Sequence, residues 1–197
     1  MANIALLTPN EVAELAKAPK TVVEKALEQK VMKAVAGAKR SGRANLRLLP
    51  IQAVALAATV HSLGRRLTVN DKRLVARKLA GMPPAALKTA TVEVAPAVVI
   101  HVGALARDAV ERAERYSSAR DAYIEAAEGV QGGRPVIRGT RITVSSVLGR
   151  LTSGDTLEGL LEDYPDVPRE AFEAAYLFGK THPRVGRPAA RKPGGAA

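Results

Sequence analysis

The sequence predicts a mainly α-helical protein with small β-hairpins, and three observations lead there. Apolar residues make up 47% of the 197-residue chain, yet only 3% are aromatic and Trp is absent. Ala, Val and Leu must therefore fill the core, which favours helices with small, smooth interfaces. Apolar positions recur at helical spacing through most of the chain, and Gly and Pro separate these stretches from short β-rich runs.

Charge divides the chain further. Residues 1–90 carry 16 Lys+Arg against 5 Asp+Glu, residues 91–183 carry 10 against 14, and residues 184–197 carry 4 against none. A basic head, an acidic middle and a basic tail imply separate tasks, and the head is the part suited to a polyanion. The organisation expected is a DNA-binding domain over 1–90, a strand-helix connector over 91–130, a hairpin and three-helix domain over 131–183, and a disordered basic tail over 184–197.

In the head, Thr8-Pro9-Asn10-Glu11 is a helix start: Thr8 caps, Pro9 fits the first helical position and Glu11 completes a capping box. Val12, Leu15 and Ala16 share one face, and Ala18-Pro19 breaks the helix. A second helix follows over about Lys20–Gln29, with Val22, Val23, Ala26 and Leu27 inward and Lys20, Thr21, Glu24 and Lys25 outward. Two short helices across a tight break make a helix-turn-helix, whose second helix would lie in a DNA major groove.

Val31, Ala34 and Val35 form a short apolar, strand-like run. The positive Gly37–Arg43 stretch follows, then Leu46, Leu48 and Leu49, so the segment reads as a hairpin with a basic tip. Helices are expected over about Ile51–Ser62, closing on Gly64, and over Val69–Ala80, capped by Thr68 and stopped by Gly81. This order of elements resembles the winged helix-turn-helix of MerR-like regulators and of antitoxin amino-terminal domains. Lys39, Arg40 and Arg43 of the wing would neutralise phosphates, and Lys20, Thr21 and Lys25 would approach base edges.

Thr91–Val94 and Ala97–Val102 are β-rich runs broken by Pro96, and Gly103 to about Ile124 turns helical, as a rigid spacer or a dimer helix. Next comes GGRPVIRGTRITV, residues 132–144. Its glycines and arginines invite a phosphate-loop reading, but Gly133 and Gly139 are separated by five residues with no lysine after them, so the Walker spacing fails. Pro135–Ile137 and Arg141–Val144 instead read as a hairpin turning at Arg138-Gly139-Thr140, with Gly139 free to take a positive φ. Three helices follow, over Ser145–Thr152, Thr156–Tyr164 and Pro168 to about Lys180. Val147, Leu148, Leu151, Leu157, Leu160, Leu161, Tyr164, Phe172, Ala175 and Tyr176 recur so as to meet in one core.

The run GGRPVIRGTRITV, then SGDTLEGLLEDYPDV, then AFEAAYLFG resembles the domain of unknown function family numbered 433, over about residues 125–183. The rest of the chain is similar to longer members, in which a MerR-like helix-turn-helix precedes this domain and a His-Pro-Arg-x-Gly-Arg-Pro tail follows it. These are VapB-like antitoxins paired with PIN-like ribonuclease toxins. The resemblance implies a type II antitoxin that neutralises such a toxin and binds its own promoter DNA as an autorepressor.

Residues 155–173 hold Asp155, Glu158, Glu162, Asp163, Asp166, Glu170 and Glu173 against Arg169 alone, a surface that would repel phosphates. This half is therefore assigned to protein contacts, forming a homodimer or higher oligomer through Ile137, Arg138, Gly139, Thr140, Arg141 and Ile142. For Arg138 and Arg141 an intramolecular role competes with bridging subunits and with contacting an acidic partner. In the tail, Arg184, Arg187 and Arg191 could enter the acidic, metal-binding pocket of a PIN-like nuclease. Gly186-Arg187-Pro188 also resembles an AT-hook core suited to an A·T-rich minor groove.

No cysteine is present, which excludes disulfides and thiolate metal sites. His61, His101 and His182 are far apart in sequence, and no catalytic constellation, cofactor or metal is expected. The longest apolar runs, Ile51–Val60 and Val94–Ala106, are too short to span a bilayer, and no secretion signal opens the chain. A cytoplasmic, non-enzymatic protein is the expectation; the alternative to an antitoxin is a stand-alone MerR-like transcriptional regulator without a toxin.

Overall fold

The computed structural model describes residues 6–36, 47–126 and 133–183. It is mainly helical with small antiparallel β-pairs, as expected from the composition. Strand β1 (Leu6–Leu7) leads into α1 (Pro9–Leu15), where the Thr8 hydroxyl accepts from the Glu11 amide and the Glu11 carboxylate accepts from the Thr8 amide. The chain reverses through Lys17, at φ 49°, and α2 (Lys20–Glu28) follows. Strands β2 (Val35–Ala36) and β3 (Arg47–Pro50) pair antiparallel, with Val35 opposite Leu48. β1 takes the other edge of β3, giving a three-stranded sheet in the order β1-β3-β2.

Helix α3 (Gln52–Leu63) is the centre of the molecule. Eight consecutive residues, Ala53 to Val60, are buried, and the Thr59 hydroxyl is satisfied by the Ala55 carbonyl at 2.8 Å. A helix apolar on every side must be covered on every side. α4 (Val69–Leu79), started by a Thr68–Asp71 capping box, covers one flank, followed by the short α5 (Pro84–Leu87). Strands β4 (Val92–Ala95) and β5 (Val98–Ile100), the two β-rich runs, pair as a hairpin around Pro96.

The other flank belongs to α6 (Val102–Tyr123), which makes the most extensive helix–helix contact of the chain with α3. Its inward residues Ala106, Ala109 and Ala113 are nearly inaccessible, and small side chains there let the two axes come close. α6 is therefore a core helix of the head, where the sequence left open a rigid spacer or a dimer helix. Gly103 seats its start: a Cβ there would stand 2.5 Å from the Lys88 carbonyl oxygen.

The carboxy-terminal elements are β6 (Ile124–Glu125), β7 (Val136–Ile137), α7 (Val144–Thr152), α8 (Leu157–Asp163) and α9 (Arg169–Thr181). β7 takes β6 as its strand partner, with Ile124 opposite Ile137, where the sequence suggested Arg141–Val144. The reason is the cap that follows. Thr143 is already the N-cap of α7, its hydroxyl accepting from the Ser146 amide at 3.1 Å, so the returning run is too short for a strand. Only a single bridge from Val136 to Thr143 remains of that pairing.

Two apolar cores result. The larger joins residues from Leu7 to Tyr116; the smaller gathers Ile137, Val144, Val147, Leu160, Val167, Ala171, Phe172 and Ala175. α9 belongs to both, since its Leu177 packs on the larger one.

Candidate nucleic-acid face and the cationic groove beside it

Helix α2 is held by Val23 and Ala26, which are buried, and this turns Lys20, Thr21 and Lys25 to solvent. Lys20 is engaged by Glu24 at 3.4 Å, one turn along. With Glu24 and Glu28 on the same helix as Lys20 and Lys25, α2 is itself charge-balanced. Lys39, Arg40 and Arg43, expected in a wing, lie outside the described residues, as do Arg184, Arg187 and Arg191 of the tail.

The structure adds cations that the sequence pattern left unassigned. Lys30 and Lys33, just beyond α2, stand with Arg73 and Arg77 of α4 around an open groove of about 900 Å³. The Arg73 guanidinium donates to the Gln29 carbonyl at 2.9 Å, which docks α4 against the carboxyl end of α2. Arg73 and Arg77 are one helical turn apart, so their sharing a side of α4 was visible in the sequence. That this side faces α2 was not.

The α1–α2 pair is fixed from behind by α6. Glu11, only 1% exposed, accepts from the Tyr116 hydroxyl at 2.6 Å and from Arg120 at 3.2 Å. Burial pushes the Tyr116 hydroxyl far above its ordinary value, and the neighbouring Glu11 carboxylate adds to the shift. Burial opposes the charge on Arg120, but the Glu11 and Asp121 carboxylates outweigh it and raise its pKa. Arg112 donates twice to the Leu15 carbonyl, at 2.9 and 3.1 Å, closing the carboxyl end of α1. From the other half, Lys180 pairs with Glu14 at 2.7 Å, and Asn10 donates to the Thr181 carbonyl at 3.0 Å.

The GTR turn is built inward. Gly139 adopts φ 73°, and the Thr140 hydroxyl donates to the Ile137 carbonyl and accepts from the Ile142 amide. The amides of Ile137, Arg138, Thr140 and Val144 also donate within the chain, so this loop does not present a row of unengaged N–H groups to a phosphate. Ile137 is 2% exposed in the smaller core, which leaves its side chain no surface to offer a second molecule. Arg138 donates to the Asp121 carbonyl at 3.1 Å and pairs with Glu125 at 3.3 Å, an intramolecular role. Gly139 and Arg141 are exposed, while Thr140 and Ile142 are half-buried.

The acidic half is partly neutralised from within. Arg150 bridges Asp155 at 2.5 Å and Asp163 at 2.6 Å, and these two hydrogen bonds raise its pKa further. Arg169 pairs with Glu158 at 2.9 Å and lowers that carboxyl below its usual range. Glu162, Asp166, Glu170 and Glu173 remain exposed.

Residues 124–178 form a DUF433 domain, matching the family described as a protein of unknown function. Over 81 residues the chain is 32% identical to the uncharacterised protein y4eO of Sinorhizobium fredii. That similarity covers 41% of this chain and 36% of y4eO, so the chain spans about a third of its relative. The crystal structure of Rv2018 from Mycobacterium tuberculosis is similar at 16% identity and a TM-score of 0.34, covering 88% of this chain and 97% of that one. So distant a likeness defines neither fold nor function. Among the described residues no helix is long and apolar enough to cross a membrane.

Proposed function

We propose that the chain is a DNA-binding antitoxin: its head binds promoter DNA as a winged helix-turn-helix, and its carboxy-terminal half engages a PIN-like ribonuclease toxin. The observation that carries the DNA reading is local. Two short helices meet across a tight turn, the outer face of the second is open, and the antiparallel pair β2–β3 follows it, all within the segment of strongest positive charge. Phosphate neutralisation there would supply affinity, with Lys39, Arg40 and Arg43 joining Lys20 and Lys25. The acidic carboxy-terminal surface is unsuited to phosphates and favours protein contact.

Two measurements test this. Binding to the DNA upstream of the coding sequence should weaken steeply between 50 and 200 mM salt, by roughly 10³-fold or more if six or more phosphates are neutralised. Replacing Lys25 with Ala should reduce the slope of log affinity against log salt by about one. Salt-independent binding, or none, removes the DNA role. Co-expression with the product of the adjacent reading frame should yield a stable complex and rescue growth from it. Failure of that second arm alone leaves a stand-alone regulator.

A further inference from the structure

The groove beside α2 has a composition that neither DNA contact nor the family similarity explains. Its floor is aliphatic where it is open: Leu6 and Pro50 at the sheet and Ala76 on α4 are half-buried, over Leu49, Leu56 and Leu79, which are already buried in the core. Lys30, Lys33, Arg73 and Arg77 stand around it, and among the described residues no Asp or Glu lines it. Its volume of about 900 Å³ is at the upper end of what a small-molecule site occupies. Val35, which also lines it, is 48% exposed and is one of the few large aliphatic side chains among the described residues left so open.

Two occupants fit this chemistry poorly. Duplex phosphates could meet the cations but would leave the aliphatic floor wet, without the gain that burial provides. A second copy docking the same face would set four cations against four others, which like-charge repulsion opposes. An occupant must bring both hydrocarbon and negative charge. Arginines one turn apart on α4 add a preference for a planar, two-oxygen head group, which a guanidinium grips by paired hydrogen bonds.

We infer that the groove between α4, the three-stranded sheet and the segment after α2 is a binding site for an amphipathic organic anion, an alkyl or aryl body with one carboxylate. The body lies on the Leu6, Val35, Pro50 and Ala76 surface, and the carboxylate reaches Arg77 and Lys33. Gln52, whose amide N–H donates to the Met82 carbonyl at 2.7 Å, sits at the same wall and keeps its side-chain oxygen as a polar contact. This site does not depend on the DNA reading, because occupancy is measured on the protein alone.

The test is calorimetric titration of the full chain with dodecanoate below its micellar concentration, set against dodecan-1-ol and dodecyltrimethylammonium. The expected result is one saturable site for dodecanoate, at least tenfold tighter than for the alcohol, with no saturable binding of the cation. Shortening to decanoate and octanoate should weaken binding by up to about fourfold per methylene. The double variant Lys33→Glu/Arg77→Glu should weaken dodecanoate tenfold or more and leave the alcohol within about twofold. Ala76→Trp should fill the groove and remove both. Should that variant misfold by circular dichroism, the exposed-charge variant decides alone. Equal affinity for alcohol and carboxylate, or unchanged binding in folded Ala76→Trp, overturns the assignment. So does a groove that refuses dodecanoate yet binds an acidic amphipathic helical peptide, which makes it a protein-docking surface.

Discussion

Replacing Glu11 by Ala tests how the head is held together. The carboxylate is almost wholly buried and accepts from the Thr8 amide at 2.6 Å, the Tyr116 hydroxyl at 2.6 Å and Arg120 at 3.2 Å. Losing half of the capping box costs on the order of 1 kcal/mol. The Tyr116 hydroxyl, in a residue 5% exposed, is then buried without its partner, at about 1–3 kcal/mol. Arg120 loses less, because it retains Asp121 and the Leu6 carbonyl and keeps 18% of its side chain exposed. The total is about 3 kcal/mol, or roughly 6–12 °C in Tm for a chain of this size. Tyr116→Phe removes one hydrogen bond to a charged group and should cost about 1.5–3 kcal/mol. Urea unfolding of both variants and their double should give a coupling of about 1–2 kcal/mol, since the two changes delete a shared interaction. A Glu11→Ala loss below 1 kcal/mol, or strict additivity with Tyr116→Phe, would refute the tether.

Three further substitutions probe the packing. Gly103→Ala puts a Cβ 2.5 Å from the Lys88 oxygen and 2.8 Å from the Thr89 Cα, both main chain, so a loss of about 2–3 kcal/mol in urea unfolding is expected. Gly149 in α7 meets nothing within 4 Å, and Ala there should gain up to about 1 kcal/mol from helix propensity. A Cβ at Gly179 would stand 3.1 Å from Val144 and 3.2 Å from Leu148 at the α7–α9 crossing, so Gly179→Leu should instead lower Tm clearly; equal behaviour of the two sites would contradict that crossing. Thr68 hydrogen bonds hold the Asp71 carboxyl below its ordinary 3.8. A depressed carboxyl stabilises the fold above 3.8 and loses that contribution as pH falls through the folded value. The Tm difference between wild type and Asp71→Asn, present at pH 7, should therefore close in acid; a constant difference would remove the carboxylate from the account.

Helix ends were the most legible part of the sequence, because caps are local chemistry. Thr8 with Glu11, Thr68, Gly64 and Thr156 each fixed a boundary within a residue or two. Strand partnership was less legible. The 135–144 stretch has the pattern of a hairpin, but β7 finds β6 across residues 126–135, a partner written as the end of a long helix. The role of α6 is less legible for a related reason: its alanine face matches a dimer helix as well as a core helix, and its core role shows only in its packing on the buried stretch of α3. Glu11 was recognised as a cap, whereas its contacts with Tyr116 and Arg120, at separations of 105 and 109 residues, have no local signature. The basic groove escaped notice because its cations come from two segments some forty residues apart, joined by Arg73 reaching Gln29.

That same long-range wiring bears on how the two halves of the chain relate. α1 has ordinary helix-forming sequence but only seven residues, too few to be stable alone, so its position is set by what surrounds it. One side is α6, through Glu11 and the Arg112 bonds to Leu15; the other is α9, through Lys180 to Glu14 and Asn10 to the Thr181 carbonyl. α9 in turn carries Phe172 and Ala175 in the smaller core while Leu177 packs on the larger. α9 is thus a wall of both cores and a brace for α1. A displacement of α9 has to be absorbed at α1, because buried aliphatic contacts do not stretch. The ion pair to Glu14 is exposed and weak by itself. Its weight lies in orientation, with the Asn10 bond and Leu177 fixing where α9 crosses and so where the α1–α2 pair presents Lys20, Thr21 and Lys25.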